Sequence, residues 1–403
     1  SVMGRATIIF LLLFSISLLT PPGLHAQWVQ NGIPVSAEIY DQINPKAVSD
    51  GAGGAIFTWR DNRSTSPGMG VYVQRVDGWG NVLWTVNGIP LQNTYVYDPE
   101  IASDGAGGAI VVWTGKIGGS WDLYAQRIDG SGTEQWQAGG VLISDRASIQ
   151  DKYKVIADGA GGAIVAWQDS TLDAMTPSAD IFAQKIDANG LTQWTANGVA
   201  VCTNMFQQYE PCITTDGDGG AIIAWDDRRG GPADIYAQSI DATGAAVWTA
   251  NGRVICNAVN SQQSQCIVSD GWGGAIIAWT DYRGGSIPLL YAQRIMRLGS
   301  FAWTSNGVLV GTINDHMYYP VIVSDGSNGA ILAWSQRVGT GQEIYAQRIS
   351  YLGDREWNDT GNPVCSATGV QSNPVAVADD NGCLLYTSPS PRDRTRSRMP
   401  SSA

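Results

Sequence analysis

Three recurring patterns in this chain carry side chains able to do chemistry. The first is Trp-x-Asp-x-Arg, at Trp59/Asp61/Arg63, Trp225/Asp227/Arg229 and Trp279/Asp281/Arg283. Arginines converging on one axis could clamp a ligand carboxylate in bidentate fashion. The plainer alternative is an ion pair within each repeat, Arg229 with Asp227 or with Asp234. Repetition favours it, because a residue present in repeat after repeat serves what every repeat needs. The second pattern is Asp-Gly-x-Gly-Gly, in which glycine lets backbone groups approach a ligand and aspartate supplies oxygen. Phosphate-binding loops of that kind open a helix, whereas here a strand follows. The variant Asp216-Gly-Asp218-Gly-Gly220 carries two carboxylates and makes Asp216 and Asp218 the calcium candidates, although the further acidic ligand of calcium loops is missing. A tight turn through φ > 0 accounts for the same glycines.

The third pattern is cysteine. Cys202 and Cys212, then Cys256 and Cys266, hold matching places in successive repeats, while Cys365 matches Cys256 and has Val375 where its partner would stand. In an exported protein the matched pairs predict disulfides Cys202–Cys212 and Cys256–Cys266; the other reading is of small buried apolar side chains. Histidine offers little. His25 falls in the leader described below, so a Ser-His-Asp triad would rest on His316 alone, and nothing near it completes one. Zinc ligation by His or Cys pairs is unsupported. Paired carboxylates for glycoside hydrolysis stay open, since sequence spacing does not give spatial spacing. No catalytic residue is assigned, and no cofactor beyond the calcium candidate.

The elements that must position these residues are themselves repeated. A D-G-x-G-G turn, an A-I-x-x-W run, an I-Y-A-Q-R-I run and W-x-x-N-G follow one another, with turns beginning at Asp50, Asp104, Asp158, Asp216, Asp270 and Asp325 and a degraded copy at Asp379. So long and steady a period means an array or a propeller. Each unit predicts four strands: A over Cys266–Ser269, B over Ala275–Trp279, C over Leu290–Ile295 and D from Trp303. They are rich in β-branched and aromatic residues, and no segment of the mature chain carries a helical period. Strand B, as in Ala221-Ile-Ile-Ala-Trp225, is apolar on both faces and so lies between two sheets. Four-stranded antiparallel sheets stacked around an axis make a β-propeller, whereas tandem β-sandwiches need about 100 residues per domain, roughly twice this period. The chain opens on a D strand at Trp28–Gly32, and Pro374 to Gly382 read as an A strand and its turn, with six complete units between. The expectation is an all-β, seven-bladed propeller over residues 27–382, truncated in its last blade and closed by the N-terminal D strand.

Arg5, the apolar run Ile8–Leu19, Pro21, Pro22 and Leu24-His25-Ala26 read as a signal peptide over residues 1–26. The run is shorter than the roughly 20 residues of a spanning helix, so no transmembrane segment is expected and the predicted location is secreted or cell-surface. Residues 383–403 resemble translated sequencing adapter, through CLLYTSPSPRD from Cys383 and SRMPSSA from Ser397; a natural basic tail is the alternative. The phrases DGxGGAIxxWxDxR, IYAQRID and WxxNG across residues 27–382 resemble secreted, repeat-built propeller proteins of bacteria with a type IX secretion system. That resemblance implies surface attachment through a C-terminal sorting domain. The sialidase Asp-box is only approximated, since Trp279 stands nine residues after Asp270.

With 49 Gly and 16 Trp in 403 residues, and 44% hydrophobic against 15% charged, the chain is neither disordered nor collagenous nor a coiled coil. Its net charge of −12 argues against a nucleic-acid partner. In a propeller the A–B and C–D turns share one end and the B–C and D–A connections the other. The first set is short and nearly constant. The second varies and carries Tyr40, Tyr95, Tyr97, Phe206, Tyr209, Tyr318 and Tyr319, beside Asp61, Arg63, Asp227, Arg229, Asp281 and Arg283. Recognition is therefore expected on that end, with Tyr97, Tyr209 and Tyr319 as contacts to an extracellular glycan or protein, unless these tyrosines simply pack the loops. The functional expectation is a monomeric binding or adhesion module; the alternatives are a sialidase-like glycoside hydrolase propeller and a purely structural surface repeat.

Overall fold

The computed structural model describes residues 33–63, 69–117, 119–170, 178–312, 315–366, 369–378 and 384–387. The leader of residues 1–26, Trp28, the turn at Asp379, Cys383 and residues 388–403 of the adapter-like tail lie outside the described residues. Six four-stranded sheets follow one another along the chain. Blade 1 is β1–β4 (Gln42–Ser49, Ala55–Asp61, Gly70–Val76, Ile89–Gln92), and blade 2 is β5–β8 (Glu100–Ser103, Ala109–Ile117, Ser120–Ile128, Val141–Ser144). Blade 3 is β9–β12 (Ile149–Ala157, Ala163–Ser170, Ala179–Ile186, Val199–Cys202), and blade 4 is β13–β16 (Gln208–Thr215, Ala221–Asp227, Asp234–Ile240, Arg253–Cys256). Blade 5 is β17–β20 (Gln262–Ser269, Ala275–Asp281, Leu289–Ile295, Val308–Leu309), and blade 6 is β21–β24 (Met317–Ser324, Ala330–Val338, Gly341–Ile349, Asn362–Cys365). A last pair, β25 (Val375–Ala378) and β26 (Leu384–Thr387), forms an antiparallel hairpin. Within it β26, from the adapter-like stretch, occupies the place of a seventh strand B.

Every blade is antiparallel in sequence order, and the first strands β1, β5, β9, β13, β17, β21 and β25 pack side by side. This is the expected propeller, with strand A innermost. Strand B carries the burial its composition demands: every residue of β14 and β18 is buried, one face against each neighbouring sheet. The W-x-x-N-G glycine has a specific task here. At Gly88, with φ +92°, an added Cβ would stand 2.6 Å from Trp59 Cη2, so only glycine lets the strand-B indole lie against the turn.

An indole hydrogen bond latches each blade to the next, and a second bond joins it where the following blade has an Asn-Gly turn. Strand D starts beyond the tryptophan expected to open it, at Val308 and not Trp303 in blade 5, and the indole ahead of it donates forward to the C–D turn of the following blade: Trp84 to the Gly130 carbonyl at 3.2 Å, Trp136 to Ala188 at 3.0 Å, Trp194 to Ala242 at 3.1 Å, Trp248 to Arg297 at 2.9 Å and Trp303 to Tyr351 at 3.1 Å. In return, the backbone N–H leaving strand D donates to the Asn of the next blade's Asn-Gly turn: Asp145 to Asn197, Thr203 to Asn251 and Asn257 to Asn306. Ala37 donates to Asn87 in the same way at 3.0 Å. Residues 33–36 therefore stand against blade 1 where the strand D of a preceding blade would end.

The expected disulfides are corrected by this architecture. Cys202, Cys212, Cys256, Cys266 and Cys365 are all free thiols. Cys202 ends the outermost strand of blade 3, and Cys212 lies in the innermost strand of blade 4. The connection between them crosses three strand spacings, about 14 Å, whereas a disulfide needs Cα atoms within about 7 Å. The same radial crossing separates Cys256 from Cys266.

Candidate functional site

The Trp-x-Asp-x-Arg residues form closed clamps inside the blades. Asp227 is fully buried; it accepts Trp225 Nε1 at 2.8 Å, Arg229 Nε at 2.8 Å and Arg229 Nη2 at 2.6 Å. The guanidinium lies over the Tyr236 ring at 4.0 Å and donates from Nη2 to Cys202 Sγ of the preceding blade at 3.2 Å. Blade 5 repeats the arrangement with Trp279, Asp281, Arg283, Tyr291 and Cys256, and blade 1 with Trp59, Asp61, Arg63 and Tyr72. In blade 1 the preceding-blade position is filled by Ser36, whose Oγ accepts from Arg63 at 3.1 Å. Burial pushes the Asp61 carboxyl up, but hydrogen bonds from Arg63 and Trp59 outweigh it and hold the group below its ordinary range. Blade 3 lacks the arginine, and Arg146 from the incoming loop replaces it, 2.8 Å from Asp169 and 4.2 Å over Phe182. Of the open alternatives for Arg229, the partner is Asp227. These six Asp and Arg residues face their own blade and its neighbour, so as a ligand-facing set they are corrected to structural clamps.

The Asp-Gly-x-Gly-Gly turns are likewise self-contained. Asp50 accepts the N–H of Ala52 and Gly54 on Oδ1 and the Arg75 guanidinium on Oδ2. Asp216 accepts from Asp218 N at 2.9 Å and Gly220 N at 2.8 Å, and Asp218 is paired with Arg297 of the next blade. Among the described residues no group of three or more His, Cys, Asp and Glu is placed to hold a metal ion, so the calcium candidates are spent on turn and ion pair. His316 sits beside Asp315, Nδ1 to Oδ1 at 2.9 Å, near the Tyr318 ring.

A cavity of about 1000 Å³ opens where the inner strands of blades 1 to 5 converge, at the end carrying the D–A and B–C connections. Its wall is built from a bulge that repeats in the inner strands. The register shifts at Ile43/Lys46, Tyr209/Cys212, Gln263/Cys266 and Tyr318/Val321. At the bulge a non-glycine residue takes the left-handed conformation: Asn44, Lys152, Glu210, Ser264, Tyr319 and Asn373, with φ between +51° and +57°. Such backbone costs on the order of 1–3 kcal/mol per residue and needs external support. The residue between Trp and Asp of the preceding blade provides it. Gln168 accepts the Glu210 N–H at 3.1 Å and Ser335 accepts that of Asn373 at 3.1 Å; in blade 2, where Asp98 at the matching place is not left-handed, Arg60 bonds its carboxylate at 2.9 Å.

The cavity gathers charge that the sequence scatters. Lys46, Lys152 and Lys154 line it, three of the chain's five lysines, together with Asp98, Glu100, Asp151 and Glu210. Glu100 holds Lys154 at 2.7 Å and Lys46 at 3.4 Å, and Glu210 faces Lys152 at 3.6 Å. Tyr97 stands at the wall with its ring 4.5 Å from that of Trp121. Of the three tyrosines expected to act together, only Tyr97 lines this cavity. Tyr209 lies half-buried under the Arg228 guanidinium at 5.1 Å, and Tyr319, 55% exposed, packs beside Tyr318 on blade 6. Sequence reasoning missed the lysines and carboxylates of the inner strand. The available signal was proline: Pro45, Pro99 and Pro211 stand immediately before the predicted strand A, and proline at a strand start marks an edge or a bulge.

No protein-family model and no curated protein matches the chain. Among solved structures it is similar to a protein of unknown function from Dyadobacter fermentans, at 12% identity over 77% of this chain and 94% of that one, with a TM-score of 0.42. It is also similar to an α-L-arabinanase of Penicillium chrysogenum complexed with arabinobiose, at 15% identity over 79% and 96% with a TM-score of 0.42. A third similarity is to an ulvan lyase of polysaccharide lyase family PL25, at 10% identity over 76% and 78% with a TM-score of 0.47. Among the described residues no helix is long and apolar enough to cross a membrane.

Proposed function

We propose that the protein is an exported, surface-displayed propeller that binds a glycan in its axial cavity. The observation that carries this reading is the gathering on one concave wall of residues from places that vary between blades, Tyr97, Asp151, Lys152 and Glu210 among them. A wall of hydrogen-bonding groups with an aromatic face at its edge suits a sugar. A purely structural reading leaves the strained inner-strand residues without a purpose, since glycine would turn the same bulge at no steric cost. A hydrolase reading needs two carboxylates free to move protons, whereas Glu100, Glu210 and Asp98 each already hold a cation. The leader of residues 1–26 and the secreted-propeller phrases support export and display; a soluble monomer is the form proposed to bind.

A glycan array followed by titration calorimetry tests the reading. The protein should retain a defined set of oligosaccharides, and Tyr97→Ala should weaken the best of them by about tenfold while leaving the unfolding midpoint in place. Retention unchanged by Tyr97→Ala would move recognition elsewhere, and release of reducing sugar from a bound oligosaccharide would return the protein to the enzymes.

A further inference from the structure

The buried side-chain atoms of the cavity wall that lack a hydrogen-bond partner are all acceptors. Among the residues lining it, Gln150 Oε1, Asp151 Oδ1 and Gln265 Oε1 are shut from solvent with no protein donor. No lining donor is in that state; the lysines pair with Glu100 and Glu210, and Gln265 Nε2 donates to the Glu210 carbonyl. Gln150 belongs to the repeat, because Gln208, Gln262 and Gln371 hold the matching places with the same unpartnered oxygen. Asp151 and Gln265 do not. The places matching Asp151 hold Ile43, Tyr97, Tyr209, Gln263 and Tyr318, and those matching Gln265 hold Pro45, Pro99, Tyr153, Pro211 and Pro320. Two residues that depart from the repeat thus each bring an orphaned acceptor to the same cavity. A buried acceptor left unmatched costs about 1–3 kcal/mol, and more when it is charged. Burial indeed pushes the Asp151 carboxyl up.

We propose that Asp151 receives the amino group of an amino sugar, with Gln265 as a second acceptor and the Tyr97 ring alongside the sugar face. The proposal rests on the glycan reading above and names its substrate class. An ammonium carries three N–H donors and one positive charge, which answers at once the open oxygen of a carboxylate otherwise offset only by Lys152 and its own backbone, and a neutral amide oxygen. A plain hydroxyl has one donor, and an acetamido group has one N–H and no charge. Asp151 occupies in blade 3 the inner-strand position that Tyr97 holds in blade 2, so the charged contact and the aromatic one are neighbours around the axis.

The test is a matched series of β-1,4-linked hexamers that differ only at C2: glucosamine, N-acetylglucosamine and glucose. Calorimetry at mildly acidic pH should give the glucosamine hexamer at least about tenfold tighter binding than either of the others. Asp151→Asn should erase that preference without changing the melting temperature. Asp354→Asn, which removes an exposed charge at the opposite end, should leave the preference intact and so separate recognition from the general pull of an acidic protein on a cation. Equal binding of the three hexamers, or a preference that survives Asp151→Asn, overturns the amino-sugar assignment while leaving a glycan site. Failure of every oligosaccharide, in the series and on the array, overturns the glycan reading itself.

Discussion

The clamp around Asp227 and the ring around the axis use the same polar residues to opposite ends. In the clamp, an aspartate, an arginine and an indole satisfy one another completely, stacked on Tyr236 and sealed by Cys202 of the adjoining blade. On the axis, Asp151 keeps an oxygen with no partner, in a wall where the equivalent places differ from blade to blade. The repeated clamp is closed chemistry, whereas Asp151 and Gln265, which differ from their counterparts in the other blades, leave acceptors open beside those of the repeated glutamines Gln150, Gln208 and Gln262. A repeat protein can therefore be read by subtraction, the shared residues being assigned to the frame and the remainder to the task.

The sharpest challenge to this contrast is to break a clamp. Asp227→Ala leaves the Trp225 and Arg229 donors buried without an acceptor, and denaturant unfolding should register a loss of roughly 3–5 kcal/mol. The next effect is a pH dependence. Burial pushes Asp226 up to about 7 and Asp180 and Asp234 up to about 6. These values exceed the unfolded value of about 3.9, so the folded state holds the protons more tightly. The stabilisation is complete below the unfolded value and is lost as pH rises through the folded ones. The melting temperature should fall from about pH 4 to about pH 7, and Asp226→Asn should flatten the upper part of that fall. Gly88→Ala forces a Cβ toward Trp59 in a left-handed turn and should cost about 1–3 kcal/mol by the same unfolding measurement. Cys202→Ser should be nearly silent, within about 0.5 kcal/mol, because Ser36 already fills that place beside Arg63; a large loss would mean that the clamps of blades 1 and 4 are not equivalent.

The frame was legible because it is periodic. The apolar B strands and the closing tryptophans say the same thing at every repeat, the Asn-Gly turns in blades 1, 3, 4 and 5, and the observed sheets follow them. The end carrying the cavity was also legible, since strand direction alone separates constant turns from variable connections. The site was not. Tyr209 and Tyr319 share loops of one kind with Tyr97, but sequence does not tell which side chains turn toward the axis, and these two pack against Arg228 and Tyr318 instead. Lys46, Glu100 and Lys154 stand 54 residues apart in turn, and only their inner-strand position, invisible without a fold, brings them together. The cysteines failed for a related reason: ten residues of chain look short until they must cross a blade.

The latches between blades all run one way, each indole donating to the turn ahead and each Asn accepting from the strand behind. The joints between blades 2 and 3, 3 and 4, and 4 and 5 are thus copies of one another, made with nearest neighbours only. Such a chain behaves like a row of identical couplings, and one more copy of the unit can be spliced in without inventing a new contact. The bore at the centre then widens or narrows with the number of copies, while the letters at its wall choose what enters. Gene duplication sets the calibre of the site, and point mutation sets its taste.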